Sequence, residues 1–142
     1  MKRALLSAAL AIACMTGVSA QDKADFAGKW KASDSFTQWM ITVEGSRMTV
    51  TRTIAGNSES TVYMLDGTPS KNPIEGPNGL VDRVYTSTWE DNVLVTTITT
   101  GGPNPLVERR WLEPDGTMKF NTTIVIQGKP QTSPGQVLKK IG

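Results

Sequence analysis

From Phe26 onward the chain alternates hydrophobic and polar residues with a period of two, and Gly, Asn, Asp and Pro cut the alternation at short intervals. Period two places successive side chains on opposite faces of a strand, so the pattern predicts β-structure. The first strand is expected over 26–31. Residues 36–43 follow, with Trp39, Ile41 and Val43 on one face, and Glu44-Gly45-Ser46 turns the chain. Over 47–54, Met48, Val50, Arg52 and Ile54 oppose a row of Thr49, Thr51 and Thr53, a composition that suits a solvated strand face. After Ala55-Gly56-Asn57-Ser58 the chain returns over 59–65.

The stretch 66–80 breaks this rhythm with Asp66-Gly67, Pro69, Pro73, Gly76-Pro77 and Asn78-Gly79, and is expected to be irregular. A connection of that length is where binding function concentrates. Alternation resumes over 81–89 and 93–100, then over 106–112 and 117–127, the last two joined by Asp115-Gly116, a strong hairpin signal. Residues 137–141 supply a closing strand. No window supports an amphipathic helix after the leader. The fold class is therefore all-β: an antiparallel up-and-down meander of eight to nine strands, closed into a barrel or strongly curled so that no long edge is left bare.

The first twenty residues have another character. Lys2 and Arg3 precede an apolar run from Ala4 to Ala13, and Val18-Ser19-Ala20 stands before the polar Gln21-Asp22-Lys23. This is the layout of a secretory signal cleaved after Ala20. The run is too short for a spanning helix. A second reading takes Ala11-Ile12-Ala13-Cys14 as a lipoprotein box with Cys14 as the anchored residue. Either way the protein is expected to be periplasmic or secreted. Of 15 Lys and Arg, two lie in the leader, leaving 13 to balance 13 Asp and Glu in residues 21–142. A balanced domain without a basic stripe is not built for nucleic acid.

Phe26-Ala27-Gly28-Lys29-Trp30-Lys31 resembles the opening of lipocalins and related calycin barrels, where a G-x-W begins the first strand and its Trp plugs the closed end. Together with Tyr63-Met64-Leu65-Asp66-Gly67, Trp89-Glu90-Asp91-Asn92 and the Asp115-Gly116 hairpin, the frame resembles small secreted bacterial lipocalin-like proteins. The resemblance implies one barrel domain over 21–142 and a ligand held in a cup. The second lipocalin motif and the disulfide of larger members are missing, and a shorter barrel has a smaller cup.

The chain has no His, and its only Cys lies in the leader. Ser-His-Asp and Cys-His catalysis are thereby excluded, and the common zinc sites lose their ligands. No Asp-x-Asp-x-Asp-Gly loop is present, so no metal or cofactor is expected. Most acidic residues fall in turns, where they bond the local backbone. The arginines are more suggestive. Arg52 shares a face with Met48 and Val50, Arg83 with Tyr85 and Trp89, and Arg109 with Val107 and Trp111. If those faces point inward, Arg52, Arg83, Tyr85, Trp89, Arg109 and Trp111 form a ligand-binding set able to hold an anionic amphiphile by its head. The plainer alternative places the arginines at the mouth, paired with Glu59 or Glu108.

The expected function is binding of a small apolar or anionic amphiphilic ligand by a monomer or small homo-oligomer. Two other classes stay open. One is a barrel that binds a protein partner, such as an inhibitor of an extracytoplasmic enzyme, through the loops at 66–80 and 101–105. The other is a cofactor-free isomerase or lyase using Tyr85, Arg83 and a carboxylate.

Overall fold

The computed structural model describes residues 23–34 and 36–142, so the leader and Cys14 lie outside the described residues. The alternating segments become β1 (Gly28–Ala32), β2 (Thr37–Glu44), β3 (Arg47–Ile54) and β4 (Asn57–Met64). The middle of the chain gives β5 (Ser70–Lys71), β6 (Ile74–Gly76), β7 (Gly79–Val81), β8 (Val84–Glu90) and β9 (Val93–Thr99). β10 (Leu106–Leu112), β11 (Met118–Ile126), β12 (Lys129–Thr132) and β13 (Gln136–Ile141) complete it. Every pairing is antiparallel, and the main sheet runs β4-β3-β2-β1-β13-β11-β10-β9-β8-β5, with β12 beside β11.

That order is a meander curled into a barrel, as the alternation predicts. Thirteen strands among the described residues exceed the eight or nine expected, and the additions are short. The stretch expected to be irregular holds three of them: β5 pairs with β8, and β6 and β7 form a separate hairpin turning at Pro77-Asn78. β12 folds back on β11 through Gln127 and Gly128, both with φ near the left-handed region, at 50° and 75°.

One junction is not a ladder. β4 and β8 lie side by side without backbone pairing, and side chains close the gap. Asn72, buried after β5, accepts a hydrogen bond from the Val62 N–H at Oδ1 (2.8 Å) and donates Nδ2 to the Val62 carbonyl (2.9 Å). A side-chain amide thus stands in for the missing strand partner. The Ser70 hydroxyl donates to the same carbonyl, and the Tyr63 and Tyr85 rings meet edge to face across the gap at 5.2 Å.

The core fills one end of the barrel. Trp30 is 1% exposed, donates its indole N–H to the Phe26 carbonyl at 2.9 Å, and packs with Ile41, Met48, Leu94, Met118 and Leu138. The Trp of the G-x-W stretch is therefore a floor residue. Gly28 has φ of 132°, and a Cβ there would lie 2.7 Å from the Lys140 stem. The same lysine carries its ammonium over the Trp30 ring at 5.6 Å, so the missing side chain at 28 leaves room for the lysine that covers the plug.

Candidate functional site

Above the floor lies a cavity of about 180 Å³. Its walls are Trp39 and Val50 from β2 and β3, Tyr63 from β4, Tyr85 from β8 and Phe120 from β11. Trp39 and Phe120 meet edge to face at 6.1 Å. Two ionic layers cross this aromatic cup.

The deep layer joins β4 to β10. Glu108 and Arg110 are two residues apart on one strand and therefore share its inner face. Arg110 Nη2 lies 3.1 Å from Glu108 Oε1, with the two side chains 3% and 13% exposed. The Tyr63 hydroxyl donates to both Glu108 oxygens, at 3.1 and 3.3 Å. The guanidinium sits 4.8 Å over the Phe120 ring and 5.8 Å from the Tyr63 ring, and Nη1 donates to the Met118 sulfur at 3.6 Å. Its Nε is buried with no partner among the described residues. Burial, together with the Glu108 charge, pushes the Tyr63 hydroxyl well above its usual range. Burial also pulls Arg110 down, but Glu108 and Tyr63 outweigh it and leave the guanidinium firmly charged.

The outer layer lies at the mouth. Glu59 on β4 is shared by Arg52 at 3.3 Å and Arg83 at 3.1 Å. Arg83 also donates Nε to the Asn72 carbonyl, so this pair spans the gap between β4 and β8. Arg52 and Glu59 are about half exposed, where water and salt weaken such contacts. Burial raises the Tyr85 hydroxyl as well, with Arg83 opposing it.

The six residues expected to bind ligand separate into three groups. Arg52, Arg83 and Tyr85 line the cavity. Trp89 stacks on Phe26 at 5.9 Å at the opposite, floor end, with its indole nitrogen buried and without a partner among the described residues. It borders a larger hollow of about 490 Å³, which is edged by Lys23, the first described residue. Arg109 and Trp111 face outward, which corrects the expected parity of β10. Trp111 pairs in register with Lys119, and both bond Glu113, at 3.0 Å each.

The parity inverts because an ion pair satisfied within the barrel can occupy inner positions, while Val107 and Trp111 lie outside. Tyr63 and Arg110 were the residues missed, and Glu108 was expected only as a partner of a mouth arginine. The available signal was the Glu-x-Arg spacing, which places opposite charges on one face. The alternative pairing of mouth arginines with Glu59 is what the structure has; Glu108 takes Arg110. Among the described residues no group of acidic, His or Cys side chains could hold a metal ion.

No family model matches the chain, and no curated protein sequence matches it. Its fold does match solved structures. A fatty acid transporter, REP1-NXSQ, superposes with a TM-score of 0.56 at 13% identity, covering 82% of this chain and 96% of that one. A secretary abundant heat soluble (SAHS) protein from Ramazzottius varieornatus gives a TM-score of 0.60 at 13% identity, covering 82% and 95%. At such identity the likeness is one of fold: this chain is a β-barrel with a cup like theirs.

Proposed function

We propose that this protein binds a small apolar or amphiphilic molecule in the cup between the two ionic layers. The observation that carries the reading is the cavity itself, walled by Trp39, Tyr63, Tyr85 and Phe120 and offering a few convergent polar groups. The fold it shares with a fatty acid transporter supports the same reading. At about 180 Å³ the space falls below the ~300–1,000 Å³ of a drug-sized pocket, so the ligand is short or only partly enclosed. The lipocalin-like grouping belongs to this proposal, supported by Gly28 and the buried Trp30. So does export, supported by the leader at 1–20.

Native mass spectrometry of protein purified from its source tests these points together. The expected result is a chain starting at Gln21 with a discrete extra mass that leaves on denaturation. A bare chain that also shows no Trp39-dependent fluorescence change with any short amphiphile would end the binding reading. A chain that keeps residues 1–20 would end the reading of export by cleavage.

A further inference from the structure

The deep guanidinium already has its anion. Arg110 is the cation a ligand carboxylate would seek at the base of the cup, yet Glu108 holds it at 3.1 Å and is itself held by Tyr63. We propose that Glu108 is a resident counter-anion that makes the cup selective for neutral, hydroxyl-bearing amphiphiles and turns ionised carboxylates away. The inference rests on the binding reading above and names its ligand class.

The argument is one of charge and lone pairs. A second carboxylate beside Glu108 would face a like charge where the Glu108 side chain is only 13% exposed, so the repulsion is screened less than at the surface. To reach Arg110 it would have to displace Glu108, which has Tyr63 as well as Arg110 to hold it. A hydroxyl head meets no such barrier. A carboxylate has roughly four lone-pair sites, so Glu108 can still accept a hydrogen bond from a ligand O–H. Tyr85, whose ring meets that of Tyr63 at 5.2 Å, supplies a second hydroxyl to the cavity lining. At the mouth, Glu59 likewise stands between Arg52 and Arg83, so each guanidinium lining the cavity has a carboxylate at 3.3 Å or less.

Matched probes test this: 1-octanol and octanoate, which share a tail and differ in the head. In the unmodified protein at about pH 8, octanol is expected to bind at least about tenfold more tightly, because burying the octanoate charge unpaired is costly. Octanoate affinity should also fall close to tenfold per pH unit from about pH 6 to about pH 8, since only the protonated acid enters, while octanol affinity stays flat. Of the groups nearest Glu108, Arg110 is held charged and both tyrosines are held above their usual range, so they do not imitate this slope, while Arg52, Arg83 and Glu59 are paired with one another at the mouth.

In Glu108→Gln the preference should reverse, and octanoate should raise the melting temperature of the variant where it leaves the unmodified protein unmoved. Octanoate binding as tight as octanol, with no pH slope, would overturn the proposal while leaving a binding cup. Failure of both probes in both proteins would remove the binding reading and this inference with it. If Glu108→Gln does not fold, the pH profile of the unmodified protein still decides.

Discussion

Arg110 is a charge enclosed on every side, and its enclosure is conditional on Glu108. Taking a guanidinium from water is expensive, and one carboxylate, one sulfur contact and two aromatic faces offset that cost. Removing Arg110 alone strands Glu108. Arg110→Met should therefore cost about 3–5 kcal/mol in denaturant unfolding, while Glu108→Leu with Arg110→Met should lose far less, because no buried charge is left unpaired. A double variant as unstable as the single one would show that the pair stabilises by its own attraction. The sequence exposed this pair only faintly. Arg109 and Arg110 are adjacent, so one of them must face inward, and period alone cannot choose when Val107 and Trp111 are as apolar as Leu106 and Leu112. Burial did not follow hydrophobicity on β10, and the choice rested on a partner, Tyr63, that lies 45 residues before Glu108.

At the scale of elements, hairpins were legible because their signals are local: alternation, then Gly or Asp-Gly, then alternation. β2 to β4 and β8 to β11 fall close to where those signals place them. β5 and β12 were not legible because each is short and exists only through a neighbour, β8 for one and β11 for the other. The gap between β4 and β8 was equally hidden, since nothing in a strand's own residues tells whether its edge will meet a ladder or an amide. Asn72→Ala removes that amide and leaves the Val62 N–H and carbonyl short of their partners. It should cost about 1–3 kcal/mol. Hydrogen exchange at the Val62 amide should speed up more than at the Val50 amide within β3. Equal protection of both in the variant would mean that the gap is held by something other than Asn72.

For the whole molecule, the turns bear on acid stability. Asp34, Asp66 and Asp115 are held below their ordinary 3.8 chiefly by Thr37, Thr68 and Thr117, and Glu113 below 4.5 chiefly by the Trp111 indole. Their folded values are depressed, so their contribution is fully present above the unfolded values and is lost as pH falls through the folded ones. The melting temperature should therefore drop between about pH 5 and about pH 2, and Asp66→Asn with Asp115→Asn should flatten that drop. An unchanged slope would show that the bonds at these turns do not set the acid sensitivity. The barrel as a whole was readable because every strand but the shortest carries its own period, whereas the depth of its cup depended on which side chains meet inside. The missing ladder has a mechanical consequence. A ring cut at one point widens there first, and here the cut is fastened by Asn72, Ser70, the Glu59–Arg83 pair and two tyrosine rings. Opening it parts those contacts and leaves every strand pairing intact. Under the binding proposed above, the girth of a guest would be set by these four fastenings and not by the number of strands.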